Sequence, residues 1–343
     1  MIKTVSLVVI IYLLRYTNSE PVSEPEPIKL FEVPFLKTPC DDITSISTVA
    51  YNKKNPNGVK NVKEKDTCGY ISNNKEKIAF VTHGFTSSPD ADYMHELASK
   101  LAQNDYTVFS VNWTQGSCDG SLSYFLYMQA YVKAAKNTHK AGELLANYIE
   151  HVNKTCNVSL DNIILIGHSL GSHVSGFAAK NIKSRKIGTV SRIIGADPAG
   201  PNFMSLSCDE RLCNTDAKRV TAFHTTTLLG INEPIGHLNL YFNDASKQPG
   251  CDDDISRACS HANAIRYLSV LLTFDRSKCV FPGVPQLKNF DPRKRPTGST
   301  TNCIVVDRQV FSQDKISPGS YTVFVNEKPQ LFCSRNTFPK CQQ

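Results

Sequence analysis

Between residues 77 and 272 the chain alternates short apolar runs with segments whose apolar residues recur every three or four positions. That rhythm is the signature of βα units feeding a mainly parallel sheet. KIAFVTH, YTVFSVNW, NIILIG, SRIIGAD and VTAFHTT read as strands. PDADYMHELASKLAQN sets Met94, Leu97, Ala98 and Leu101 on one helical face. Residues 133–152 repeat Ala141, Leu144, Leu145, Tyr148, Ile149 and Val152, an amphipathic helix, and ACSHANAIRYLSVLL reads as a third. Beyond Cys279 the pattern dissolves into Pro, Gly, Ser and Cys, with only NCIVV and YTVFVN as strand candidates. Neither a repeat nor a linker divides the chain, so residues 38–343 are expected to form one α/β domain.

The first residues do not belong to that pattern. Lys3 precedes an apolar run over residues 5–14, and the chain then turns polar, as a secretory signal peptide over residues 1–19 would. A run of about ten residues is too short for a bilayer anchor, which takes roughly 20. Residues 20–37, rich in Pro and Glu without helical or strand period, read as a propeptide or flexible arm.

A secretory leader changes what the cysteines mean. All 12 follow it, an even number with no Cys-x-x-Cys pair to hold zinc, so disulfides in an oxidising extracellular compartment are expected. The short spacings favour Cys208–Cys213 and Cys251–Cys259, and Cys40–Cys118 is expected beside them. Asn112, Asn153 and Asn157 head N-glycosylation sequons that secretion makes usable. With 41% hydrophobic and 20% charged residues the chain is an ordinary globular one, not a disordered one. Its net charge of +7 draws it toward anionic surfaces, membranes included. No Lys/Arg run with interleaved aromatics points to nucleic acid.

Candidate chemistry begins at Gly167-His168-Ser169-Leu170-Gly171. This Gly-x-Ser-x-Gly pentapeptide follows the buried strand NIILIG and precedes a small-residue helix, the context in which a serine hydroxyl is held on a strained turn above a sheet edge. The bland alternative is a chance pentapeptide in a Gly-rich turn. A serine needs a base and a carboxylate to orient that base. Asp197 ends the strand SRIIGAD, and His261 follows Cys259 at a helix start, giving the order Ser, Asp, His found in α/β-hydrolases. His83, His168, His224 and His237 compete for the base role, although each lies in or beside a strand or motif and reads as a structural core histidine. The backbone amides of Phe85, in the turn VTHGFTSS, and of Leu170 are assigned to an oxyanion hole, whose donors are each worth about 3 to 4 kcal/mol. Nothing in this chemistry requires a metal or cofactor.

GHSLGSHVSGFAAK, GADPAGP, HTTTLLG, PIGHLNLYFN, QPGC and CSHANA, in this order and spacing, resemble the animal lipase family of pancreatic lipase, most closely the phospholipases A1 of wasp and ant venoms. The resemblance runs from about Cys40 to the end. It implies an α/β-hydrolase fold, a mainly parallel central sheet with helices on both faces, and Ser169, Asp197 and His261 as nucleophile, orienting acid and base. It further implies hydrolysis of the sn-1 ester of phosphoglycerides. Two positions depart from the family pattern: Asn263 stands where an arginine is usual, and Asn239 where an aspartate is usual. Pancreatic-type lipases also carry a C-terminal β-sandwich that grips lipid and a cofactor protein, which these 343 residues are not expected to include, so no colipase-type partner is expected.

Loops argue for the substrate. Only seven residues separate Cys251 from Cys259, where triglyceride lipases carry a long amphipathic lid. So short a loop cannot form a covering helix, so the site is expected to stay open to phospholipid. The run Asp252-Asp253-Asp254 reads as a solvated acidic turn rather than a calcium site. The loop over residues 201–215 is also short. The family resemblance links two short loops of this kind to phospholipase A1, so a secreted, monomeric phospholipase A1 acting on membrane surfaces is the leading expectation, and a venom role is what the resemblance alone implies. A triacylglycerol or galactolipid lipase is its enzymatic alternative. A non-catalytic lipid-binding or storage protein is the alternative of a different class.

Overall fold

The computed structural model describes residues 40–118, 124–252, 254–273, 281–286, 303–312 and 315–325. The expected leader and arm, Asp253, and Cys279, Cys333 and Cys341 lie outside them. In chain order the described strands are β1 (Ser47–Asn52), β2 (Asn55–Val62), β3 (Lys77–Thr82), β4 (Tyr106–Asn112), β5 (Ile163–His168), β6 (Arg192–Ala196), β7 (Arg219–His224), β8 (Leu238–Phe242), β9 (Phe281–Pro285), β10 (Ile304–Val306) and β11 (Gly319–Val323). The long helices are α1 (Asp92–Gln103), α2 (Tyr124–Lys154), α3 (Leu170–Ser184) and α4 (Ala258–Thr273).

All the described strands join one sheet, ordered β10-β9-β11-β8-β7-β6-β5-β3-β4-β1-β2. From β4 to β11 neighbouring strands run parallel, and the two ends of the sheet are antiparallel. The central strands read as unbroken apolar runs because both faces are covered. Ile78 and Phe80 of β3, Ile163 and Leu165 of β5 and Ile193 of β6 pack toward Leu145 and Ile149 of α2 and Val174 and Phe177 of α3. The alternate residues Ala79, Val81, Ile164, Ile166 and Ile194 pack toward Met94, Leu97 and Leu101 of α1 and Ile265, Leu268 and Leu271 of α4. Each such large apolar side chain contributes about 1.5 to 3 kcal/mol on burial. The structure is thus an α/β-hydrolase fold with helices on both faces of its sheet.

The structure differs from the sequence pattern in several elements. β1 and β2 extend the sheet where no strand is expected, β8 forms from LNLYF, and α2 begins nine residues before the periodic segment at 133. β9 forms from FPGVP beyond Cys279, where only NCIVV and YTVFVN are expected, and pairing with β11 and β10 holds this short Pro-flanked run. β2 has the sequence NPNGVKNV and is largely exposed, so it carries no apolar signal and is held by pairing with β1.

Disulfides join Cys40 to Cys118, Cys68 to Cys156, Cys208 to Cys213 and Cys251 to Cys259. Among the described residues no helix is long and apolar enough to cross a membrane.

Candidate active site

Ser169 sits between the end of β5 and the start of α3 with φ 55° and ψ −124°, a left-handed conformation costly to any residue with a Cβ. The neighbouring backbone explains why the turn holds. A Cβ on Gly167 would land on the Gly171 carbonyl, and one on Gly171 would land on the Thr82 carbonyl of β3, so only glycine lets strand and helix approach this closely. Ser169 itself is buried and stands at a helix N-terminus, where unpaired amides favour negative charge.

Asp197 follows β6 and is fully buried. Its Oδ1 accepts from the amides of Thr225 at 2.7 Å and Thr226 at 3.2 Å, both just past β7. Its Oδ2 accepts from His261 Nδ1 at 2.5 Å. That donation fixes the tautomer: with the proton on Nδ1, a neutral His261 ring presents an unprotonated Nε2. His261 lies in the first turn of α4, its side chain 12% exposed. No hydrogen bond closes between Ser169 Oγ and His261 among the described residues. Such bonds are often long in unliganded enzymes and tighten with substrate.

The competing histidines are occupied elsewhere. His83 is fully buried, stacks on Trp113 and bonds the Gly84 carbonyl; burial pushes its imidazole down to about 4. Nε2 of His168 donates to the main-chain carbonyl of His261 at 3.1 Å, and desolvation holds this ring neutral. His224 donates from Nδ1 to the Ile231 carbonyl, and His237 accepts at Nδ1 from the Val220 amide. Of these rings, His261 alone reaches a carboxylate through a nitrogen within hydrogen-bond distance.

Gly84 presses directly on Ser169, since a Cβ there would lie 2.7 Å from Ser169 Cβ and 3.3 Å from its Oγ. This contact brings the turn carrying Phe85 to Ser169. Thr86, at φ 50°, donates its amide to the Ser117 carbonyl at 3.0 Å, and the Phe85 ring is wedged edge-on between Tyr127 and Tyr131. Among the described residues neither the Phe85 nor the Leu170 amide donates to a protein acceptor, so both are available to an oxyanion.

Residues 251–259 form a short loop clipped by its disulfide. Asp254 accepts from the Cys259 amide and the Ser256 hydroxyl, acting as a cap on α4, while Asp252 is exposed. Asn263 donates to the Pro249 carbonyl and to Cys251 Sγ, each at 3.4 Å, and so pins this loop to α4. Asn239 is buried, its side chain bonded both ways to the Gly236 backbone. The sequence offers no motif for the Thr225 and Thr226 amides, which meet Asp197 only through the pairing of β6 with β7. Of the sequons, Asn112 ends β4, Asn153 lies in the last turn of α2, and Asn157 is exposed in the loop beyond.

A family model described as Lipase matches residues 15–278. The chain belongs to the lipase family. This lipase-family chain is also 34% identical to a protein named Phospholipase A1 from Solenopsis invicta, over 96% of this chain and 94% of that one. A Phospholipase A1 of Dinoponera quadriceps is 36% identical over 88% of this chain and 79% of its own. Phospholipase A1 2 of Dolichovespula maculata is 35% identical over 85% and 95%. As a member of the lipase family the chain is a carboxylic ester hydrolase acting on lipid.

Proposed function

We propose that the chain is a secreted phospholipase A1 that cleaves the sn-1 acyl ester of phosphoglycerides at a membrane surface. The observation that carries the chemistry is the 2.5 Å contact between Asp197 and His261, on elements that flank the strained Ser169 turn. In this reading His261 Nε2 takes the proton from Ser169 as Oγ attacks the sn-1 carbonyl. The Phe85 and Leu170 amides stabilise the tetrahedral oxyanion. The protonated His261 then gives its proton to the departing glycerol oxygen, releasing 2-acyl-lysophospholipid and leaving an acyl-enzyme. Water attacks that ester with its proton passing to the same imidazole, and fatty acid leaves as Ser169 is restored.

The short disulfide-clipped loop 251–259, with Ile255 65% exposed, supports the choice of phospholipid, because it offers no helix to cover an apolar site. Curated relatives named Phospholipase A1 support the same choice. Secretion is supported by the leader-like first residues and the disulfides. A venom role is supported by the motif resemblance to venom phospholipases, and a single copy of the chain is proposed to suffice.

A phosphatidylcholine with two distinguishable acyl chains tests the reading. Release of the sn-1 chain, abolished by Ser169→Ala, is expected, with triolein emulsions hydrolysed more slowly. Release of the sn-2 chain, full activity in the variant, or equal rates on triolein would overturn it.

A further inference from the structure

One buried amide outside the proposed triad joins the segment that holds the acid to the helix that carries the base. Gln248 is 1% exposed, in the stretch between β8 and the loop 251–259. Its Nε2 donates to the Thr225 carbonyl at 2.9 Å and the Phe242 carbonyl at 2.6 Å, and its Oε1 accepts from the Tyr267 hydroxyl at 3.0 Å. Its own main-chain amide donates to Ser260 Oγ at 3.0 Å. Thr225 is the residue whose amide holds Asp197 Oδ1, Ser260 directly precedes His261, and Tyr267 lies further along the same helix. A continuous path therefore runs from Asp197 through Thr225 and Gln248 to α4, in parallel with the direct contact of carboxylate and imidazole.

We propose that Gln248 is a positioning residue for the catalytic pair, setting the separation of the segment after β7 and α4 so that Asp197 and His261 meet in register. The proposal rests on the reading of Asp197 and His261 as acid and base. The residue type fits the task. Two carbonyls and a hydroxyl converge on one side chain, and a carboxamide supplies two donors and an acceptor together. Glutamate at this position would turn an oxygen toward a carbonyl, and an apolar side chain would leave both carbonyls without their donor.

Double-variant kinetics on the full chain test this, using the phospholipid assay with thermal unfolding measured in parallel. Gln248→Met is expected to lower kcat by about tenfold to a hundredfold, as small misplacements of catalytic groups do, with KM changed by less than about twofold. Tyr267→Phe, which removes only one hydroxyl, is expected to lower kcat in the same direction by less. In an Asp197→Asn background, where the carboxylate no longer needs aligning, either substitution should change kcat by less than about twofold. A wild-type kcat in Gln248→Met, or an equal fractional loss with and without Asp197, overturns the proposal. Should Gln248→Met not fold, the cycle of Tyr267→Phe with Asp197→Asn decides by the same criteria. Full activity in Asp197→Asn would overturn the triad reading and this proposal together, whereas a crippled Asp197→Asn beside an unaffected Gln248→Met removes this proposal alone.

Discussion

His168 donates from Nε2 to the main-chain carbonyl of His261 across 3.1 Å, so the residue next to Ser169 grips the helix that carries the imidazole. The two rings lie 4.6 Å apart between centroids, and His168 Nδ1 is buried with no partner among the described residues. Among the described residues, the hydrogen bond of this side chain is therefore spent on the position of His261. His168→Phe should keep the ring packing against Tyr93 but remove the tie to the His261 carbonyl, which keeps its helical donor, at a cost of about 0.5 to 1.5 kcal/mol. We expect a lower melting temperature and a kcat reduced by about tenfold, since a shift of α4 would misalign His261, the proposed base. His168→Gln, which retains a donor, should recover part of both; steady-state kinetics and thermal melts of the three proteins check this.

Gly84 is the second position where backbone proximity to Ser169 is tight. A methyl group there would meet Ser169 Cβ at 2.7 Å, so either the serine or the turn of Phe85 must shift. Losing one oxyanion donor costs about a hundredfold to a thousandfold in kcat. Gly84→Ala is expected to lose at least about a hundredfold while the far-UV circular dichroism stays that of the parent. Activity within a few-fold of wild type would mean that the Phe85 amide is not used.

Burial of neutral histidines sets the response to acid. His83, pushed down to about 4 from its ordinary 6.5, and His168, His173 and His224, shifted in the same direction chiefly by desolvation, bind protons more readily in the unfolded chain. The contribution of His83 to stability is present above about pH 6.5 and is lost as pH falls toward about 4, and that of the other three is lost in the same direction as pH falls. Melting temperature should fall across that window. His83→Phe, if it folds, should flatten the slope; an unchanged melting temperature from pH 6.5 to pH 4 would contradict the assignment.

What the sequence made legible follows from what leaves a local trace. β3, β5 and β6 were readable because both faces are covered and their apolar runs are unbroken. Ser169 and Asp197 were readable because each ends such a strand, where glycine or proline marks the turn. β2 is a polar edge strand fixed by its partner, and β8 is only five residues long with buried Asn239 inside it, so neither carries a period of its own. The hydrogen bonds of Gln248 connect residues 225, 242, 260 and 267, and no spacing rule links those positions. Tertiary convergence alone creates that node.

The three sequons differ in how free their side chains are. Asn153 donates from Nδ2 to the Val158 carbonyl at 2.9 Å, the atom a glycan would have to occupy. Asn112 is half-buried at the end of β4, where its Oδ1 accepts from the hydroxyl of Thr114 at 2.7 Å. Asn157 is exposed with φ 58°, a left-handed conformation that asparagine tolerates well and that belongs to a turn. A sugar on Asn157 would meet solvent, whereas one on Asn153 would break a bond that closes the end of α2. We expect Asn157 to be glycosylated when the chain passes through a secretory pathway. Asn157→Gln should therefore remove a glycan-sized mass from the intact protein, with Asn153→Gln leaving that mass in place. Loss of the mass in the second variant and not the first would reverse the order argued from the hydrogen bonds.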